Sequence, residues 1–205
     1  TNSLDTPVVG LVALKDGSRF DPHLTRNRPE FGIDDDLALF GSFFAGPSSL
    51  ARFAGDAPLN TDDRPVVAYS APRITYAPDS LPRDRLIALL RETEIKPDEL
   101  VVADSPWGRR LANYWTARTR FIEAGRDVRP TADVRGMLAQ VREPLLAVLR
   151  ISPDFRPAYD PLLRMAGALA RVDPPAARDL LTELQRVQPS RPEAALALRE
   201  LGNSR

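Results

Sequence analysis

The spacing of hydrophobic positions changes along this chain. Thr6, Val8, Val9, Leu11, Val12 and Leu14 form a β-branched, apolar run closed by Lys15-Asp16-Gly17, which predicts a buried strand over 6–14. Residues 18–33 are polar, contain Pro22 and Pro29, and predict a long loop. Leu37, Leu39, Phe40, Phe43 and Phe44 then follow Asp34-Asp35-Asp36, a spacing that suits a short helix whose first turn gains from carboxylates at the positive end of its dipole. Gly46-Pro47 stops it. Ser48 or Ser49 is placed to cap a second short helix through Leu50, Phe53 and Ala54, ended by Gly55. After a polar turn, Pro65 to Ala71 predicts a second strand, with the proline at its start, where a missing amide donor is tolerated. Two strands so far apart in sequence do not make a stable sheet alone, so they need either the following helices or further strands.

Past Ala77 the period becomes helical. Leu86, Leu89 and Leu90 mark one helix, and Ser105-Pro106 opens another carrying Leu111, Tyr114, Trp115, Phe121 and Ile122 up to Gly125. Val134, Met137, Leu138, Val141, Leu145, Val148 and Leu149 fall at offsets of three, four, seven, eleven, fourteen and fifteen, a continuous apolar stripe. Pro144 lies inside it and predicts a kink or a break one turn earlier. Asp160-Pro161 precedes Leu162, Met165, Ala166 and Leu169, and Asp173-Pro174 precedes Ala177, Leu180, Leu181, Leu184 and Val187. Ser190-Arg191-Pro192-Glu193 reads as a capping box before Ala194, Ala195 and Leu198. Antiparallel helical hairpins are the expected result. Arg150-Ile151-Ser152-Pro153 and Arg186-Val187-Gln188-Pro189 recur 36 residues apart. That interval resembles the tetratricopeptide period of about 34, whose repeat ends in proline, and Ala177, Leu181 and Leu184 fit its second helix; an irregular helical array is the other reading.

Composition narrows the classes. Lys plus Arg equals Asp plus Glu at 28 each, so no basic excess favours nucleic acid or anionic lipid. Lys15 and Lys96 are the only lysines, and the arginine, alanine and proline content points to a GC-rich bacterial genome. The absence of cysteine removes disulfides, thiol nucleophiles and thiolate metal sites, and fits a reducing compartment. No run approaches the roughly 20 apolar residues of a bilayer span, and no membrane insertion of this chain is expected.

Few residues invite chemistry. Asp62 and Asp63 are adjacent in a turn, where they could contact an amine or metal, or else shape the backbone with Asn60 and Arg64. The first option admits a small carboxylate-dependent hydrolase. Asp34-Asp35-Asp36 lacks the spacing of a calcium loop and reads as a solvated helix start, and His23 is the only histidine. No Gly-x-Ser-x-Gly elbow, dinucleotide fingerprint or phosphate loop occurs. Arg109, Arg110, Arg118 and Arg120 near Tyr114 and Trp115 form either a cationic aromatic face or a solvated fringe around two core aromatics. No catalytic, cofactor or metal residue is therefore assigned, and no cofactor is expected in this chain. The turn residues Asn60, Asp62, Asp63 and Arg64 are its only candidates for a structural or ligand site.

One stretch resembles a family signature. Asn60-Thr61-Asp62-Asp63-Arg64-Pro65, followed by Val66-Val67 and ending at Ala71-Pro72-Arg73, is similar to the end of the aminopropyltransferase-like domain in bacterial membrane-anchored proteins related to spermidine synthase. Ala68 stands where those relatives carry a glutamate. The resemblance covers roughly the first third of the chain and implies a mostly α protein: closing strands and helices of a Rossmann-like aminopropyltransferase domain over 1–77, then a tetratricopeptide-like helical domain over 78–205. It implies a non-catalytic C-terminal region whose parent belongs to the transferases of polyamine biosynthesis. The glycine-rich turn, ribose-binding acid and proton-accepting aspartate of such an enzyme have no counterpart here. The opening at Thr1 with a strand already under way suggests a segment of a longer protein. The expected partners are the parent enzyme domain or another protein, and the expected location is cytoplasmic, tethered to the inner membrane through upstream segments. A severed sheet edge bearing Val8, Val9, Val66 and Val67 would invite pairing of two copies. The alternative is a free-standing helical interaction module.

Overall fold

The computed structural model describes Leu11 and residues 35–77, 81–100 and 106–203. The strand expected over 6–14 lies outside these residues except for Leu11, as do the loop over 18–33, His23 and Asp34. Among the described residues the chain is helical and contains no strand. It divides into two compact units, 1–108 and 109–205, and this boundary falls within a helix, beyond the change in period at Ala77.

The first unit holds α1 (Asp36–Ser42), α2 (Pro47–Ala54), α3 (Val66–Thr75) and α4 (Pro82–Glu92). Asp35 caps α1 by accepting a hydrogen bond from the Ala38 amide at 2.8 Å. Leu37 and Phe40 are buried beneath it, and Phe40 meets Phe43 and Trp107 edge to face at centroid distances of 6.0 and 6.1 Å. At the start of α2 the buried Ser49 reaches back, accepting from the Gly46 amide at 3.0 Å and donating to the Gly46 carbonyl at 3.1 Å. Gly55, at φ +44°, ends α2 in a backbone conformation that favours glycine.

The strand expected over Pro65 to Ala71 is instead α3. A strand must hand its amides and carbonyls to a neighbouring strand, and none stands among the described residues; a helix satisfies them internally. Two valines do not outweigh Ala68 and Ala71 in the same segment, and Asn60 supplies an acceptor for the new helix, donated to by the Val67 amide at 3.0 Å. The expected small α/β segment is accordingly not seen, and Val66 and Val67 belong to a helix rather than to a sheet edge. In α4, Ile87 and Leu90 are buried, and Thr93 closes the helix by donating its hydroxyl to the Leu89 carbonyl at 2.6 Å.

α5 (Pro106–Arg126) carries the boundary between the units, and α6 (Val134–Ile151), α7 (Arg156–Leu169), α8 (Pro174–Val187) and α9 (Glu193–Asn203) complete the second one. Each of α6 to α9 packs on the next, and α6 also meets α8 as α7 meets α9. This is a helical array. Most of the stripe read in α6 is buried: Leu138, Val141, Leu145, Val148 and Leu149 face the core, joined by Leu146, while Val134 and Met137 near its start are half-buried. Pro144 does not break α6. It lies on the exposed side, so the Gln140 carbonyl that loses its intrahelical donor belongs to a residue open to solvent. α7 begins one turn before the expected Asp160-Pro161, because Pro157 already occupies its first turn and Pro161 is carried inside the helix. Asp133 and Asp173 cap α6 and α8 through their carboxylates. The capping box expected at Ser190 does not form: Ser190 donates its hydroxyl to Gln188 Oε1 at 2.5 Å, and α9 opens at Glu193 without it.

Candidate functional site

The turn singled out in the sequence is built to start a helix. The Arg64 amide donates to Thr61 Oγ1 and to the Thr61 carbonyl, each at 3.1 Å, and the Thr61 amide donates to the Arg64 carbonyl at 3.2 Å. This closed turn brings Asn60 Oδ1 over the first turn of α3, where it satisfies one of the amides that a helix N-terminus leaves without an internal partner. Asp62, Asp63 and Arg64 are exposed on its outside. Asn60 thus has a defined structural contact, and the two carboxylates are displayed rather than gathered. Among the described residues no three side chains of the histidine, aspartate and glutamate kind cluster as metal ligands would. Asp35 is engaged as the α1 cap, so the acidic run there serves a helix start.

α3 buries none of its residues. Val67, Tyr69, Ile74 and Tyr76 expose 58, 76, 55 and 83% of their surface, an unusual display for large apolar and aromatic side chains. Arg85 of α4 donates to the Ile74 carbonyl and ties down the far end of the helix.

The cationic aromatic face considered on α5 is not present. Tyr114 and Trp115 are buried, with Phe155 set edge-on against Tyr114 at 5.0 Å and against Phe121 at 5.4 Å. Arg110 pairs with Asp154 at 3.3 Å, and Arg120 with Glu123 at 3.4 Å. Arg118 is drawn partly inside, and its burial lowers the guanidinium pKa to about 10, against an opposing pull from Tyr114. Sequence periodicity already contained this answer, since Leu111, Tyr114, Trp115 and Ala117 lie on one helical face.

The repeated turn motif proves to be a structural joint. Ser152 and Gln188 close α6 and α8 in the same way, each donating its amide four residues back, to Val148 at 3.0 Å and Leu184 at 2.9 Å, and both are buried. The Gln188 side chain then donates to the Pro153 carbonyl at 2.6 Å and Arg191 donates to the Asp154 carbonyl at 3.3 Å, so one turn is fastened directly to its counterpart. Arg191 also lies over the ring of Tyr159, 5.1 Å from its centroid. Tyr159 is fully buried; its hydroxyl faces the start of α9 near the Ala194 amide without a hydrogen bond of normal geometry, and burial pushes its pKa up while that amide and Arg191 pull the other way. On another side of the array, Arg135 joins Asp173 at 3.2 Å and Arg142 joins Glu183 at 2.8 Å, linking α6 to α8 and its cap.

Two grooves remain. One, of about 310 Å³, runs between α5 and α6 over Ala124, Pro144, Ala147, Val148 and Ile151, with Arg120 and Glu123 at its rim. The other, of about 400 Å³, is polar and lies beside α2, lined by Ser48, Arg52, Glu94, Lys96, Asp98 and Glu99. Glu99 already occupies the N-terminus of α2: its carboxylate accepts from the Ser48 amide at 3.3 Å and presses so close to Gly46 that a side chain there would collide with it. The positive end of that helix is answered from within the chain. None of the described helices is long and apolar enough to cross a membrane.

No protein-family model, curated protein or solved structure matches this chain.

Proposed function

We propose that the chain is a non-catalytic helical docking module, the C-terminal region of a spermidine synthase-like protein, whose tetratricopeptide-like array seats either the parent enzyme domain or a protein partner. The observation that carries this reading is the groove between α5 and α6. Ala124, Pro144, Ala147 and Val148 make a small-residue, apolar trough that would take the apolar side-chain row of an incoming helix. On this reading the module sits in the cytoplasm, tethered through the rest of its parent. The link to spermidine synthase-like proteins rests on Asn60 to Arg64 and Ala71 to Arg73.

A second reading, a free-standing helical interaction module unrelated to polyamine chemistry, is favoured by α3, since that relation implies a strand where this helix stands. The size of the natural gene product separates the two: a mass near 22.7 kDa supports the free-standing module, and a much larger one supports the parent. Docking itself is tested by placing a photo-crosslinking amino acid at Ala147 in that product. Adducts within the same polypeptide or to one defined protein are expected, and Ala147→Glu in the groove abolishes their counterpart from a crosslinker at Ala124. No adduct beyond that obtained from an exposed control position such as Arg178 overturns the reading.

A further inference from the structure

We propose that α3 pairs antiparallel with α3 of a second copy of this chain. Tyr69, Pro72, Arg73 and Tyr76 follow one another at offsets of three, four and seven, so they share one face of the helix, and all four are exposed. Tyrosine combines a large apolar area with few rotatable bonds and is enriched at the centres of interfaces. The charges around this face select the occupant. The turn just before the helix start carries Asp62, Asp63 and Arg64, all exposed and together one net negative charge, and Arg73 stands in the last turn of the helix; among the described residues Asp62, Asp63 and Arg73 make no ion pair. A helix preceded by net negative charge and basic at its end is complementary to itself when reversed. A two-fold axis crossing near Ala68 sets Arg73 of each copy beside Asp63 of the other, with the two Tyr69 side chains between those contacts and Tyr76 outside them against the second copy's turn at Asn60, whereas a parallel pairing sets like charge on like.

The size of the face fixes the strength. Ten helical residues span about 15 Å, and two such helices bury less than the roughly 1,200 Å² at which stable complexes begin. Leu59 and Leu81, which precede and follow α3 in the chain, are 82 and 54% exposed. The pairing is thus weak and concentration-dependent, with half-dimerisation in the range of about 10–100 μM.

Sedimentation equilibrium of the whole chain between about 1 μM and about 1 mM tests this, with circular dichroism to confirm that each variant keeps its helices. A monomer–dimer equilibrium is expected. Tyr69→Ser with Tyr76→Ser leaves a monomer throughout. Arg73→Glu weakens the dimer by about tenfold, since the two-fold axis counts each exposed charge pair twice, and adding Asp63→Arg restores it. A monomer at every concentration, a dimer indifferent to the tyrosine pair, or an Arg73→Glu loss that Asp63→Arg does not restore would each overturn the proposal. These results leave the docking groove between α5 and α6 untouched, because the substitutions lie in the other unit.

Discussion

α7 and α3 are both amphipathic, proline-containing helices, yet they are used in opposite ways. α7 buries Ala158, Tyr159, Leu162, Ala166 and Leu169 to 0% exposure, whereas α3 buries nothing and turns its tyrosines outward. Composition does not separate them. Neighbours do: α7 lies between α6 and α8 and also meets α9, so every turn of its apolar face has a partner, while α3 is held mainly at its ends, by Asn60 at one and Arg85 at the other. A helix held at its ends keeps its hydrogen bonds but not its burial, and its apolar side chains remain available for another surface.

The contrast is broken most directly at the core. Leu162→Ala should cost about 3 kcal/mol in urea unfolding of the second unit, because it empties a site with no solvent access. Val67→Ala in α3 should change stability by no more than about 0.5 kcal/mol, the range of ordinary surface substitutions. Equal effects would mean that α3 is as well packed as α7. A smaller loss, about 1–2 kcal/mol, is expected for Gln188→Ala, which removes the donor to the Pro153 carbonyl and the acceptor for Ser190; chemical denaturation against Gln188→Glu, which keeps the acceptor alone, separates the two bonds. A local effect belongs to the turn. Asn60→Ala should loosen α3 by about 1 kcal/mol, read as faster hydrogen exchange at Val67 and its neighbours with the array unchanged, while Asp63→Asn leaves that exchange as it was. Faster exchange with Asp63→Asn would return that carboxylate to a shaping role.

Legibility followed the same division. The stripe of α6, the buried pair Tyr114 and Trp115, the caps Asp35 and Asp173, and the recurrence of the Ser152 and Gln188 turns were all readable, because each is set by residues within a few turns of one another or by a simple period. The errors arose where two local signals competed. Pro65-Val66-Val67 carries strand propensity, but no strand among the described residues offers it hydrogen bonds, and a side chain seven residues from Val67 supplied a helix start that no nearest-neighbour pattern reveals. Pro144 signalled a kink or break and Pro161 a helix start, but both are carried inside helices, at a position that is exposed or close to the start, where a lost donor is cheaply replaced by water. Ser190 matched a capping box, but Gln188 offered it a buried acceptor first.

By itself the sequence determined that the chain is rich in helix-forming periodicity, where several of those helices begin, among them α1, α5 and α8, and which faces of α5 to α8 are apolar. Those properties depend on residues three or four apart, and the backbone carries them from one turn to the next. Only the tertiary structure decided that α3 is a helix, that the two repeated turns are bolted together through Gln188 and Arg191, and that Asn60 is a cap while Asp62 and Asp63 stay in solvent. Each of these depends on which polar group finds its partner first among residues that only the folded chain brings together.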